Sequence, residues 1–200
     1  MEKWLNKVIL EGNSVILEPL SESHEKGLAA AVSDGNLWEL WFTSAPKPEN
    51  VSAYIQKALQ EYENDISLPF LVKNKNTLQI IGTTRYTNAT PAHKRLEIGY
   101  TWYAKSFQRT GVNTECKYLL LQYAFEHLHC IAVEFRTHFH NFDSRAAIAR
   151  LGAKQDGILR NHSIDSTGCL RDTVVFSIIN NEWQTVKKSL EYRMRKSYYT

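Results

Sequence analysis

Two hundred residues with 43% apolar composition suffice for one sizeable core, so a single domain spanning 1–200 is expected. Lys plus Arg number 24 against 21 Asp plus Glu, a net charge of +3 that is too mild and scattered to argue for direct nucleic-acid binding. Cys116, Cys130 and Cys169 are odd in number and form no C-x-x-C pair, which argues against a disulfide framework and for reduced, buried thiols. Met1 to Leu10 shows no signal-peptide pattern, and no run approaches the roughly 20 apolar residues of a membrane span, so a cytoplasmic protein without a membrane partner is predicted.

Val15 to Leu20 reads as a strand stopped by proline, and His24 to Val32 as a short helix ended by Asp34-Gly35. Val51, Tyr54, Ile55, Ala58, Leu59 and Tyr62 keep the 3.6-residue period of a second, amphipathic helix. Pro69 to Lys73, Gln79 to Asn88 and Arg95 to Tyr103 are strand-like runs joined by short polar turns, hence antiparallel neighbours. The helix after Gly111 carries apolar residues around most of its circumference, from Cys116 through Leu120, Leu121 and Phe125 to Leu128, and is expected to be deeply buried. Ile131 to Thr137 follows as a strand, then a short helix, Phe142 to Arg150, capped by Asn141 and stopped by Gly152. Lys154 to Arg160 and Leu170 to Ile179, separated by the turn Asp165-Ser166-Thr167-Gly168, are the last strands, and a basic helix, Glu182 to Arg195, is expected on the surface. His138 and His140 share a strand period, but no carboxylate or cysteine completes a zinc-like spacing, so no metal is expected.

The richest stretch is Ser106-Phe107-Gln108-Arg109-Thr110-Gly111-Val112-Asn113-Thr114-Glu115, a polar loop running into a helix. A helix N-terminus presents unpaired N–H groups and a positive dipole end, so the amides from Gln108 to Asn113 can receive a diphosphate. Gly111 permits close approach of the backbone, and Arg109 can add a charge-assisted contact.

The spacing Gln108-x-x-Gly111-x-Asn113 resembles the acetyl-coenzyme A loop of the GNAT superfamily of N-acetyltransferases. Its flanks, Leu96-Glu97-Ile98-Gly99-Tyr100 before it and Asn141-Phe142-Asp143-Ser144 and Arg150-Leu151-Gly152-Ala153-Lys154 after it, are similar to the branch of ribosomal-protein N-terminal (alanine/serine) acetyltransferases, from about Val15 to Ile179. Asn113 stands where that pattern has a small residue, and the Gly99-to-Gly111 segment is one residue longer than in that branch. The resemblance implies an α/β (α+β) fold with a mixed, mostly antiparallel sheet of about seven strands flanked by helices, in the order β-α-α-β-β-β-α-β-α-β-β plus a C-terminal helix.

It also implies a site. Gln108, Arg109, Thr110, Gly111, Val112 and Asn113 would take the diphosphate, and a main-chain N–H within Thr101, Trp102 and Tyr103, on a bulged strand, would hold the thioester carbonyl. Glu97 becomes the candidate base; a solvated strand glutamate, or one paired with Arg85, remains open. Ser144 becomes the candidate acid and Asn141 a pantetheine contact, although both residue types suit a helix cap alone. Trp38, Trp41 and Phe42 would wall the acceptor cleft or simply plug the core, and Arg85, Tyr86 and Tyr100 would line its floor. Cys116, one turn into a buried helix without a histidine beside it, does not suit a thiol mechanism.

The function implied is acetyl transfer from acetyl-coenzyme A, as cosubstrate, to a primary amine by direct transfer in a ternary complex, with the N-terminal amine of a protein or peptide preferred. An α-amino group titrates about 2.5 units below lysine and is roughly 3 kcal/mol easier to deprotonate at neutral pH, which suits a modest base. The alternatives are acetylation of a small amine such as an antibiotic or polyamine, and a non-catalytic acetyl-coenzyme A sensor. The partners implied are acetyl-coenzyme A and the amine acceptor; a homodimer is left open.

Overall fold

Phe70 and Val72 bury their side chains with one set of core residues and Leu71, between them, with another, which is the signature of a strand covered on both faces. They belong to β3 (Leu68–Asn74) in a computed structural model that describes residues 3–165 and 167–197. The other strands are β1 (Leu10–Glu11), β2 (Val15–Pro19), β4 (Ile80–Thr90), β5 (Arg95–Tyr103), β6 (Ala132–His138), β7 (Lys154–Ile164) and β8 (Leu170–Ile179). They form one eight-stranded sheet, order β1-β2-β3-β4-β5-β6-β8-β7, antiparallel except where β5 meets β6. The expected order of elements is present, with one addition: the two-residue strand β1, too short to carry a periodicity, folds back on β2.

Helices α1 (Glu25–Ser33) and α2 (Val51–Glu63) cover one face through Leu28, Val32, Val51 and Ile55, packed with Leu71 and Trp102. Helices α3 (Val112–Gln122), α4 (Phe142–Arg150) and α5 (Asn180–Ser197) serve the other face, where Cys116, Leu120, Ile148 and Leu190 join Phe70, Leu96 and Ile98. The helix begun at Gly111 does not stay regular to Leu128: Tyr123–His127 forms a π-helical turn, closed by Leu128 N–H donating to the Tyr123 carbonyl at 3.0 Å.

Three expectations are corrected. The last helix is not a surface helix, because Trp183, Val186 and Leu190 recur at a helical spacing and are buried against α3 and its π turn. Strand β7 runs past Arg160 to Ile164, since a register shift near Asn161 (φ 49°) lets pairing with β8 resume. Cys169, unlike buried Cys116 and Cys130, is exposed in the β7–β8 turn; Ser166 of that turn lies outside the described residues. Among the described residues no helix is long and apolar enough to cross a membrane. Leu190→Ala is expected to cost about 2–5 kcal/mol in urea unfolding, whereas a surface leucine would cost within about 0.5.

Candidate active site

Strands β5 and β6 pair over only Arg95↔Ala132, Leu96↔Val133 and Glu97↔Glu134, then separate. Beyond Glu97, no strand among the described residues lies beside the edge of β5 that faces β6, so its amides and carbonyls border a cleft. On its other edge β5 stays with β4, but three steps from Gly99 to Trp102 match two from Arg85 to Thr83. The surplus residue is Tyr100, at φ 51°, which places the bulge one position ahead of the Thr101–Tyr103 stretch where it was expected. The side chain of Thr101 then meets Thr84 at 2.7 Å, Trp102 packs with α1 and α2, and Tyr103 packs toward α3.

Just past β5 the chain makes a short 3-10 turn, Lys105–Phe107, and enters α3 at Gly111. Gln108 Nε2 donates to the Tyr103 carbonyl at 2.9 Å and Thr110 Oγ1 to the Phe107 carbonyl at 2.7 Å, folding the loop onto the strand end. Among the described residues none accepts a hydrogen bond from the main-chain N–H of Arg109, Thr110, Gly111 or Asn113. Four free amides at a helix N-terminus fit a diphosphate. The left-handed turn that gathers them is at Arg109 (φ 61°); Gly111 has an ordinary helical φ of −67°, so its missing side chain matters for access rather than for conformation.

Glu97 lies 8% exposed at the base of the cleft, on the face opposite Leu96 and Ile98. Asn88 Nδ2 donates to its Oε2 at 2.8 Å, and Arg136 Nε of β6 stands 3.4 Å from the same oxygen. Burial raises its carboxyl above the usual range; the Asn88 hydrogen bond and then the Arg136 charge pull it back. The expected partner Arg85 is elsewhere: it pairs with Glu61 of α2 at 2.9 Å and lies over the rings of Tyr100 and Tyr54, at 4.1 and 5.0 Å from their centroids. Tyr100, exposed above Arg85, shares the face of Glu97. Tyr86 does not, because alternation along β4 turns it to α3, where it is fully buried with its hydroxyl donating to the Leu120 carbonyl at 2.5 Å.

In the α1–α2 connection, where an acceptor wall was expected, Trp38 is half-buried against the α1–α2 core while Trp41 is 61% exposed. The Trp41 ring stands edge-on to His138 at 4.7 Å and 6.0 Å from His140, with Phe42 at 5.5 Å. The α1–α2 connection therefore reaches across to the end of β6. The two histidines belong to this aromatic cluster, His138 Nδ1 accepting the His140 N–H at 3.1 Å. Asn141 caps α4 by accepting the Ser144 N–H at 3.0 Å, which occupies its amide oxygen; among the described residues Ser144 Oγ has no partner. Burial pushes the Cys116 thiol up to about 12, far from a thiolate at neutral pH.

Four participants had no signal in the sequence. Arg136 and Asn88 reach Glu97 through pairings that only the sheet register creates. Asp34, at the end of α1, accepts the Ser106 N–H and hydroxyl at 3.0 and 2.6 Å and so latches α1 to the loop. Lys117 of α3 lies buried beneath the bulge.

A splayed parallel pair, a bulge beside it and a helix N-terminus with free amides suited to an anion come together at one end of β5. Residues 14–154 match the acetyltransferase (GNAT) domain, and the chain belongs to that family, a GNAT-type N-acetyltransferase. A Bacillus subtilis (strain 168) protein named "Putative ribosomal N-acetyltransferase YdaF" is 27% identical over 74% of this chain and 80% of its own. A GCN5-related N-acetyltransferase from Brucella melitensis is 29% identical with a TM-score of 0.84, covering 95% of this chain and 86% of its own. RimL, a ribosomal L7/L12 α-N-protein acetyltransferase solved with coenzyme A, shares the fold at TM-score 0.72 and 18% identity, over 86% of this chain and 98% of its own.

Because the Arg136 charge lowers the Glu97 carboxyl, Arg136→Met raises it further, and a reaction that used Glu97 as an ionised base would then be lost at higher pH. The acid limb of kcat/KM is expected to move up in pH in this variant. A limb that stays in place would mean that Glu97 is not the group titrating.

Proposed function

We propose that the protein transfers an acetyl group from acetyl-coenzyme A to a primary amine directly, in a ternary complex, and prefers the N-terminal amine of a protein or peptide. The observation that supports this most is the cleft that opens right after the Glu97↔Glu134 pair, with a shielded carboxylate at its base and the α3 amides at its end. The coenzyme A complex of RimL supports the assignment of the donor. The diphosphate is held by Arg109, Thr110, Gly111 and Asn113 amides. The pantetheine arm runs along the free edge of β5, where one of its N–H groups receives the carbonyl.

The amine enters from the α1–α2 face, past Trp41 and Tyr100. Its nitrogen attacks the acyl carbon, its surplus proton passes to Glu97, and the carbon–sulfur bond breaks as the amide forms. The departing thiolate takes a proton from Ser144 Oγ or from solvent. The hollow beside Arg136, along β6, β8 and β7, is lined by Arg95 and Arg136 as well as Glu134 and Asp156, a mixed rather than an acidic lining. The reading also treats residues 1–200 as one functional unit, acting in the cytoplasm.

Release of free thiol, measured with peptides bearing N-terminal alanine or serine and with small amines, tests the acceptor. Peptides are expected to turn over faster; faster turnover of polyamines would refute the preference. Gly111→Trp should abolish acetyl-coenzyme A binding in calorimetry, its ring filling the space the amides face. Glu97→Gln should retain binding but lose about 10²–10⁴-fold in kcat, the range of one general base.

A further inference from the structure

A buried lysine with no anion beside it among the described residues lies under the bulge. Lys117 is 5% exposed, and its Nζ donates to Thr84 Oγ1 at 3.1 Å and to Thr101 Oγ1 at 2.5 Å. The two hydroxyls are 2.7 Å apart, so the three groups close a triangle. The carboxylate on the same helix, Glu115, is turned away and held by Asn13 and Ser14. The titratable groups on the surfaces that face Lys117 are Cys116 on α3, Tyr86 on β4 and Tyr103 on β5, none of them anionic at neutral pH.

Such a placement opposes stability. Burying an unpaired ammonium is costly, and methionine would fill a similar volume without that cost while the two threonines satisfied one another. Desolvation pushes the amine down from 10.5 to about 7. A lysine lowered in this way destabilises the fold fully below about pH 7, and the penalty fades as pH rises toward 10.5. A residue kept at such a cost is explained by what it holds. Thr101 follows the surplus residue Tyr100, and Thr84 is the β4 residue left between the Thr83↔Trp102 and Arg85↔Gly99 pairs. Lys117 thus grips both sides of the register break at once.

We propose that Lys117 is a positioning residue for acetyl transfer: by tying Thr84 to Thr101 it fixes the bulge, and the bulge aims the main chain of β5 at the acyl carbonyl. The proposal rests on the reading that the β5–β6 cleft admits the thioester. Misplacement of a reacting group by about 1 Å costs on the order of 10²-fold in rate, so the effect falls on the chemical step rather than on the grip of the phosphates, which α3 supplies separately.

Lys117→Met and Thr101→Val, singly and together, test it. Affinity for acetyl-coenzyme A is measured by calorimetry, Tm at pH 6 and pH 9, kcat by thiol release with a serine-initiated peptide, and the carbonyl stretch of bound 13C-labelled acetyl-coenzyme A by infrared spectroscopy. Expected for Lys117→Met are near-parental affinity, a Tm that does not fall and gains more at pH 6, a kcat lower by on the order of 10²-fold, and a carbonyl band returned toward its free position. Thr101→Val should act in the same direction, and the double variant should be no worse than the poorer single one. Unchanged rate and carbonyl band would overturn the proposal. So would a joint collapse of Tm, affinity and rate, which would make the lysine merely a support of the fold. A parent protein that binds no acetyl-coenzyme A would refute the cleft reading itself, before any variant is made.

Discussion

Strand β5 has to serve two neighbours, and it cannot follow both to its end. Antiparallel β4 accompanies it to Gly82↔Tyr103, while parallel β6 leaves after Glu97↔Glu134. The surplus residue at Tyr100 increases the local bend and twist, and the β4 ladder absorbs it by a one-residue shift. A parallel ladder with evenly slanted bonds has no matching accommodation, so the sheet opens on that side. What keeps β5 and β6 in one sheet is the core under them, where Leu96 and Ile98 share with Val133 and Phe135 the layer packed by α3. The open edge leaves β5 main-chain groups whose desolvation must be met by water or by a bound amide-rich chain.

The same strand separates two unlike surroundings. Odd and even positions before the bulge divide between faces: Leu96 and Ile98 bind α3, whereas Glu97 faces Asn88, Arg136 and the acceptor side. Burial raises the Glu97 carboxyl above its usual range, while the Asn88 hydrogen bond and the Arg136 charge act against that rise. Arg85 adds no charge to that carboxylate, because Glu61 claims it and two tyrosine rings enclose it.

Much of the fold could be read from the sequence because it is periodic. Val51 to Tyr62, Arg95 to Tyr103 and Phe142 to Arg150 declare their elements through spacing and caps, and the structure places them within a residue or so. The loop into α3 was also legible, since a glycine before an apolar helix is a local signal. Contacts between distant segments were not. Alternation could say that Glu97 leaves the core, but which cation it meets depends on β6 lying in parallel beside it, so Arg85 was the natural guess and Arg136 the outcome. Tyr86 was misassigned for a related reason, as its face depends on parity along β4 relative to α3. The last helix looked basic and exposed because its charges outnumber the three apolar residues, Trp183, Val186 and Leu190, that do the packing. Lys117 was invisible because a lysine in a helix is ordinarily solvated, and only the tertiary fold buries it.

The loop into α3 and the end of β6 are also mechanically joined. Asp34 at the end of α1 receives two hydrogen bonds from Ser106, and the Lys105 N–H donates to its carbonyl at 3.0 Å. Gly35 (φ 88°) lets this contact close, since a Cβ there would stand 2.4 Å from that of Lys105. Further along the same connection, Trp41 reaches His138 at the end of β6. One short segment, from Asp34 to Trp41, is therefore anchored to the loop that begins α3 and to the far wall of the cleft.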